Sequence, residues 1–323
     1  SVRRVVFIRH GESDWNEVFN KEKHMLLPRA VLGCLREWNP LGKCCRAQDS
    51  VFLDSPLSRE GCEQADGLRE FLFRTGAPGS NVSVKVARQG TPADSVLVSS
   101  NLRRALHTGL IALHPRLERN AGERVVLLAQ LQEMSRNVDT NSVTAPRQCP
   151  ELGVVTRRLG SDHGRPETWV EPKHCTGNKK MCQSALPRFN DFCAWCFDSN
   201  DKPTVVVGAG HSLWFKNFFK LYLPQASKHD IKSCKMLNCA AVSFELVRSR
   251  KTRKTELVKQ KRQRRGFQFR RVFACCSCLW FYIISPRVLT FEALILLRFI
   301  KHRPRTPPPP PPPPTPPPPP PPP

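Results

Sequence analysis

The sequence is poor in glycine, in acidic residues and in long apolar runs, and these deficits exclude several classes of protein. Only 17 of the 323 residues are glycine, whereas a collagen-like chain needs one at every third position. No uninterrupted apolar run reaches the roughly 20 residues of a membrane-spanning helix, which excludes a polytopic membrane protein. The chain has 14 cysteines among 323 residues, a share below the ~8–10% that is typical of a disulfide scaffold.

The shortage of acidic residues is concentrated at the C-terminus. The chain has 51 Lys and Arg but only 27 Asp and Glu, a formal net charge of +24. Residues 251–323 contribute +13 of this charge, which leaves +11 for residues 1–250. The same tail holds 18 of the 31 prolines, mostly in two blocks of eight. We therefore predict one folded domain at 1–250, followed by a basic, apolar and polyproline tail that is not a folded domain.

Within residues 1–250, apolar runs alternate with segments of helical periodicity. Continuous apolar runs indicate strands buried on both faces, and they occur at 4–8, 95–99, 124–129, 203–208 and 240–247. Helical patterns occupy 58–74, 101–113, 186–198 and 212–222. Such alternation predicts an α/β fold, a three-layer α/β/α sandwich around a mostly parallel central sheet.

Two long segments, residues 21–50 and 137–185, fit neither a helix nor a strand pattern. Loops of this length in a compact α/β domain usually serve as active-site lids or lack fixed structure. We expect these two insertions to form a lid that selects the substrate.

Polar residues follow four of the predicted strands. The first strand ends in Arg9-His10, and the next three lead into Arg104, Glu133 and His211. Because ligands bind beyond the carboxyl ends of parallel strands, these side chains are expected to meet in one site.

This set of residue types suits the chemistry of a phosphoryl group. Arginine matches phosphate oxygens with its planar guanidinium group, and a neutral imidazole can accept a phosphoryl group covalently. A second histidine and helix N-terminal amides would neutralise the oxygens, while a carboxylic acid protonates the leaving group. The prediction requires no metal ion and no cofactor.

Five sequence pieces, in this order, resemble the histidine phosphatase superfamily, also called the phosphoglycerate mutase-like family. They are Arg9-His10-Gly11-Glu12-Ser13 with Trp15-Asn16, Pro56-Leu57-Ser58 with Gly61 and Gln64-Ala65, Ser100-x-Leu-x-Arg104-Ala105 with Thr108, Leu131-x-Glu133, and Gly210-His211-Ser212. The resemblance covers residues 2–248 and implies a phosphoglycerate mutase-like fold.

The resemblance also implies roles for individual residues. His10 corresponds to the residue that is phosphorylated during turnover, with Arg9, Arg104 and His211 as the phosphate clamp around it. Glu133 corresponds to the proton donor to the leaving group and later to the base that activates water.

Further assignments remain open at this point. Asn16, Ser13 and Ser212 are expected to contact the phosphate or the rest of the substrate. Asp139 and Glu12 compete with Glu133 for the role of the acid.

Two departures from the family pattern favour a phosphatase over a mutase. A basic, Cys-bearing segment at 21–51 replaces the compact Gly-Trp segment of mutases, and residues 134–139 replace a nearby glycine and acidic residue. The expected substrate is a small phosphorylated molecule or a phosphoprotein. The alternatives are a phosphoglycerate mutase-type phosphotransferase and a non-catalytic polyanion-binding or scaffold protein.

The tail suggests partners and a location of its own. No secretory signal precedes the first predicted strand, so we expect a reducing, cytoplasmic setting. The basic run 248–271 is compatible with nuclear import, nucleic acid or an acidic membrane, and residues 272–300 with a membrane anchor. The polyproline blocks could recruit SH3- or WW-type domains.

Several other conspicuous side chains are interpreted as structural. Cys193 and Cys196 lie at helical spacing on an apolar face, and no second CxxC pairs with them to complete a zinc site. Trp15 is interpreted as a core residue. His107 and His114 fall within a helical pattern and have no evident partner in the sequence.

Overall fold

The computed structural model describes most of the first 250 residues and, beyond them, one strand of ten residues and one of two. The described residues are 2–19, 28, 30–31, 33–34, 50, 52–74, 82–160, 163–180, 185–197, 205–223, 227, 229–248, 267–276 and 282–283. The chain divides into two compact units, Ser1–Ser285 and Pro286–Pro323, and the second lies outside the described residues.

The first unit is built on a mixed sheet of eight strands. These are β1 Val2–Arg9, β2 Ser95–Ser99, β3 Val125–Leu127, β4 Val170–Glu171, β5 Val205–Gly210, β6 Ala240–Arg248, β7 Phe267–Cys276 and β8 Tyr282–Ile283. Their order across the sheet is β4-β3-β2-β5-β1-β6-β7-β8. The pairs from β4 to β1 are parallel, and those from β1 to β8 are antiparallel. The sheet thus has a parallel half with adjacent carboxyl ends.

Seven α-helices accompany this sheet in the described part of the chain. They are α1 Asp14–Phe19, α2 Arg59–Phe73, α3 Val82–Gln89, α4 Arg103–Arg119, α5 Gly153–Leu159, α6 Ala185–Phe197 and α7 Ser212–Tyr222. One apolar core holds residues of α6 and α7, and a second core holds residues of α2, α4 and α5. Both cores include sheet residues, so the predicted three-layer α/β/α sandwich is confirmed.

Strand β1 shows how one sequence serves both cores. Its side chains alternate between the two faces of the sheet, so that Val5 and Phe7 join the first core and Val6 and Ile8 join the second. Phe7 stacks on Phe215 of α7 with ring centroids 4.3 Å apart. The continuous apolar run of β1 is therefore explained by burial on both faces, as the pattern predicted.

Helix α4 continues beyond its predicted end at residue 113 and contains Pro115. Proline lacks an N–H and usually ends a helical pattern. Here the following turn is fixed by burial, because Leu117 lies in the second core and the Arg116 side chain forms a buried ion pair with Glu123. Tertiary contacts thus override the local signal.

Regular structure occurs within residues 137–185, where the sequence pattern indicated neither a helix nor a strand, and the lid function of this segment stays a prediction. The segment contains α5 and the edge strand β4, and Leu152, Val155 and Val170 belong to the second core. The short length of these elements explains why no periodic pattern was visible in the sequence.

The structure describes only parts of residues 21–50 and of the tail 251–323, so the predictions for these two segments are tested only there. Most of 21–50 lies outside the described residues. Strands β7 and β8 fall within 251–323, and the remainder of that tail lies outside the described residues. Its status as an unfolded tail stays a prediction. In the described part of the chain, no helix combines the length and apolarity needed to cross a membrane.

Candidate active site

The carboxyl ends of three neighbouring strands bring the predicted site residues together. Strand β5 lies between β1 and β2 in the sheet, so the carboxyl ends of these three parallel strands are neighbours. The amide of His10 donates to the carbonyl of Gly210 at 3.0 Å, and the amide of Ser100 donates to the carbonyl of Ala209 at 2.9 Å. The loops that follow β1, β2 and β5 therefore start next to one another, although they are far apart in the sequence.

The loop that leaves β1 passes very close to the start of α2. A Cβ atom added to Gly61 would lie 1.9 Å from the carbonyl oxygen of Glu12, and one added to Gly11 would lie 2.6 Å from the carbonyl oxygen of Gly61. Neither position has room for a larger residue. The two glycines in the motif therefore fix the path of the chain just after His10.

A cavity of about 140 Å³ opens at this edge of the sheet. Six of the eight residues predicted for the site line it, namely Arg9, His10, Asn16, Arg104, Glu133 and Ser212. The other lining residues are Trp15, Ser135, Asn137, Asp139, Thr140, Leu213 and Lys235. The cavity is thus lined mainly by polar and charged side chains, as a phosphate-sized ligand requires.

His10 is buried and has a defined tautomer. Its Nδ1 lies 2.5 Å from the carbonyl oxygen of Gly11. Because a carbonyl can only accept, Nδ1 carries the proton and Nε2 keeps its lone pair. Burial, followed by the charges of Arg104 and Arg9, holds the pKa of His10 well below its usual range. The imidazole is therefore neutral at physiological pH, as a nucleophile must be.

His211 is not among the cavity-lining residues, but its ring lies next to that of His10. Their ring centroids are 5.1 Å apart. The His211 Nε2 lies 2.9 Å from Ser100 Oγ, while its buried Nδ1 has no hydrogen-bond partner among the described residues. Burial, followed by the charges of Arg104 and His10, holds the pKa of His211 well below its usual range.

Two arginines contribute positive charge to the cavity, which Lys235 also lines. Arg104 Nη1 donates to the carbonyl oxygen of Asp139 at 2.6 Å, and its Nη2 lies 3.4 Å from Asp139 Oδ2. Arg9 Nη1 donates to the carbonyl oxygen of Met236. Burial lowers the pKa of Arg9 to about 10, which leaves this guanidinium group charged at neutral pH.

The carboxylate of Glu133 lies at the N-terminus of α7, where it accepts hydrogen bonds from backbone amides. Its Oε1 accepts from the amides of Met134 at 2.7 Å and Trp214 at 3.1 Å, and its Oε2 accepts from the amide of Leu213 at 3.4 Å. The helix N-terminal amides that were expected to face the phosphate thus bind this carboxylate instead. They fix its orientation toward the cavity, which it lines.

The structure places Ser13 and Glu12 outside the cavity lining. The Oγ of Ser13, which immediately precedes α1, accepts from the amide of Asn16 at 3.3 Å, and Ser13 is fully buried. The carboxylate of Glu12 accepts from Ser58 Oγ at 3.2 Å, where it helps to fix the start of α2. Ser13 therefore caps the first turn of α1, and Glu12 contacts the start of α2 rather than lining the cavity. Asp139 remains as the competing acid.

Sequence reasoning missed several cavity-lining residues, and it also missed Lys179, which contacts the loop that carries some of them. Its ammonium group donates to the carbonyls of Glu133 and Ser135 at 2.6 and 2.7 Å and to Thr140 Oγ1 at 2.8 Å. Burial lowers its pKa to about 8. Lys179 thus fastens the loop that carries both candidate acids, although nothing in its sequence context marks it.

The interpretation of Trp15 as a core residue is wrong. This residue is half-buried, lines the cavity and packs against Phe19 with ring centroids 4.2 Å apart. The WN pair that follows the first motif thus presents both of its members to the site.

No protein-family model matches the chain, and none of the curated proteins is similar enough to count as a match. Similar solved structures include a mycobacterial glucosyl-3-phosphoglycerate phosphatase with VO3 (18% identity, 76% of this chain and 93% of that chain, TM-score 0.36). An ecdysone phosphate phosphatase from Bombix mori with tungstate is 14% identical over 90% of this chain and 99% of that chain, with a TM-score of 0.44. A phosphoserine phosphatase from Entamoeba histolytica with phosphoserine is 14% identical over 75% and 89%, with a TM-score of 0.34.

Proposed function

We propose that the chain hydrolyses phosphomonoesters through a phosphohistidine intermediate on His10. The observation that carries the proposal is the shared cavity, in which a buried, neutral imidazole lies with Arg9, Arg104 and Glu133. A nucleophile, two fixed cations and a carboxylate are the groups that phosphoryl transfer needs when no metal ion takes part.

In the first step, the Nε2 lone pair of His10 attacks the phosphorus atom in line with the ester oxygen. A P–N bond forms while the P–O ester bond breaks, and the leaving oxygen takes a proton from Glu133. In the second step, Glu133 removes a proton from water, whose oxygen attacks phosphorus. The P–N bond then breaks, inorganic phosphate leaves, and Glu133 is protonated again.

The phosphate oxygens would be held by Arg9, Arg104 and His211. Ser100 Oγ accepts from the amide of Leu102 at 3.3 Å, so its own proton is available to His211 Nε2. That arrangement leaves a proton on the His211 Nδ1, which would donate to a phosphate oxygen. Buried polar atoms usually have partners, and a bound phosphate would supply partners for this Nδ1 and for the Nε of Arg9.

The substrate is proposed as a phosphomonoester dianion carried by a small molecule or a protein. The charge of +11 on residues 1–250 favours the approach of anionic molecules. A mutase-type phosphotransferase would use the same phosphohistidine and differs in returning the phosphoryl group to a substrate hydroxyl. A bisphosphate primer that supports isomerisation of phosphoglycerate would favour that alternative.

The first test is a comparison of the wild-type chain with a His10→Ala variant on a generic aryl phosphate. We expect the variant to lose hydrolysis, while a His174→Ala variant, altered at an exposed histidine outside the cavity, keeps it. Brief reaction with labelled substrate should trap acid-labile phosphate on the wild-type protein and not on His10→Ala. Full activity in His10→Ala would overturn the proposal.

A further inference from the structure

A second cluster of side chains that could bind a metal ion lies at the C-terminal end of α4, whereas the cavity lies at its N-terminal end. His114 and Glu118 are four residues apart and so project from the same face of this helix. His163 comes from the segment that precedes β4 and meets them there. Fourteen helical residues separate Arg104 from Glu118, which is ~21 Å along the helix axis. The proposed phosphatase chemistry makes no use of this cluster.

The three ligand atoms of the cluster are close enough to share one ion. Glu118 Oε1 lies 2.7 Å from His163 Nδ1 and 3.3 Å from His114 Nε2, and all three atoms lie within 4.8 Å of one another. Nitrogen and oxygen ligands at about 2.0–2.1 Å from a tetrahedral zinc ion are themselves separated by ~3.3 Å. Small side-chain rotations would therefore suffice to form the site.

An independent observation also indicates a ligand here. His114 is 95% buried, since its exposure is 5%, yet its Nε2 has no hydrogen-bond partner among the described residues. The approach to Glu118 at 3.3 Å has an ion-pair distance without hydrogen-bond geometry. Buried polar atoms are rarely left unsatisfied, and the lone pair of an imidazole nitrogen is a good ligand for a transition metal.

We propose that His114, Glu118 and His163 bind a divalent transition metal ion of the zinc type. Two imidazoles and one carboxylate favour such an ion over Mg²⁺ or Ca²⁺, which prefer oxygen ligands. Three protein ligands leave one tetrahedral position open. A cavity of about 510 Å³, lined in part by Glu118, His163 and Trp169, adjoins the cluster and gives that position room for water or a small anion.

The bound ion would tie the segment around His163 to the end of α4. This segment leads through a short 3-10 turn, Pro166–Trp169, into the edge strand β4. Trp169 packs edge-on against His114, with ring centroids 5.2 Å apart. Because the ligands come from both sides of this contact, the ion would stabilise the folded chain in proportion to its affinity and concentration.

The test uses the full chain after treatment with EDTA and alkylation of accessible thiols, because exposed cysteines such as Cys234 could bind zinc independently. Zinc alone is then titrated by calorimetry and measured by elemental analysis after dialysis. We expect one zinc ion per chain that depends on the cluster, and affinity weaker by about tenfold or more in His163→Ala and Glu118→Gln. His174→Ala, altered at another exposed histidine, is the matched control and should bind as the wild type does.

A thermal melt provides a readout that does not depend on activity. Added zinc should raise the Tm of the wild type and of His174→Ala, and should leave that of His163→Ala unchanged. Hydrolysis of an aryl phosphate should be similar in all of these variants, because the cluster is remote from His10. Absence of zinc binding by the wild type, or equal binding by His163→Ala, would overturn the proposal.

Discussion

Arg103 and Arg104 are consecutive residues of α4, yet their guanidinium groups lie in different surroundings. Arg103 donates from Nε to the carbonyl of Asp54 at 2.7 Å and from Nη2 to that of Leu53 at 2.9 Å. Arg104 lines the cavity and donates to the carbonyl of Asp139. Successive helical residues point about 100° apart, so only one of the two can face the site.

This difference predicts that the two arginines have separable functions. Arg104→Lys keeps the charge but loses the planar fork, and we expect kcat/KM for an aryl phosphate to fall by about 10²-fold. Arg103→Lys should instead lower the Tm, because several buried carbonyls lose a donor, with kcat/KM of the folded protein nearly unchanged. Steady-state kinetics and thermal melts on both variants provide the comparison. An equal loss of activity in Arg103→Lys would contradict the separation.

The identity of the acid can be decided by varying the leaving group. An aryl oxide leaves without full protonation, whereas an alkoxide needs a proton from the enzyme. Glu133→Gln should therefore reduce kcat/KM, which reports the step in which the leaving group departs, by about 10²–10⁴-fold on an alkyl phosphate and much less on an aryl phosphate.

Asp139→Asn is the matched variant for this experiment. Burial raises the pKa of Asp139, a property that also suits a proton donor, although Arg104 opposes the shift. If the strong dependence on leaving group appears in Asp139→Asn and not in Glu133→Gln, the role of acid belongs to Asp139.

Two glycines of α2 provide a matched pair for testing the tight contact beside the site. Gly61→Ala would place a methyl group 1.9 Å from the carbonyl oxygen of Glu12, whereas a Cβ at Gly67 meets nothing within 4 Å. We expect Gly61→Ala to lower the free energy of unfolding by about 1–3 kcal/mol and to reduce activity. Gly67→Ala should raise it by about 0.5–1 kcal/mol, because alanine is the better helix former. Urea unfolding measures both; equal effects would contradict the contact.

Stability should depend on pH through His107, which is buried on α4. Its Nε2 lies 2.8 Å from the carbonyl of Glu151, and burial lowers its pKa to about 3. In the unfolded chain a histidine has a pKa of about 6.5. Below that pH the unfolded state binds a proton that the folded state does not, so stability falls as pH decreases.

The expected size of this effect is about 1.4 kcal/mol between pH 7.5 and pH 5.5 for a single such histidine. In His107→Gln, the decrease in the free energy of unfolding over this range should be smaller by that amount than in the wild type. His174→Gln, at an exposed histidine, should show the wild-type decrease in urea titrations. An unchanged decrease in His107→Gln would show that the two states of the chain bind protons equally at His107.

The central elements of the fold were predictable because their signals are local. The strand at 95–99 and the helix at 212–222 have the predicted bounds, since an apolar run and a 3.6-residue period each reflect burial of neighbouring residues. Helices α1, α3 and α5 were missed, because six to eight residues contain too few periods to form a pattern. The alternating layers followed from the order of the stronger segments.

The sequence motifs identified six of the thirteen residues that line the cavity, because the motifs that contain His10, Arg104 and Ser212 follow strands whose carboxyl ends lie at the same edge of the sheet. Only the tertiary structure decided that the Glu133 carboxylate accepts from the amides of α7, and that Lys179 donates to the carbonyls of Glu133 and Ser135. The proximity of His163 to His114 was likewise visible only in the tertiary structure. Such contacts join residues far apart in the chain, and their partners are chosen by packing, which no local pattern records.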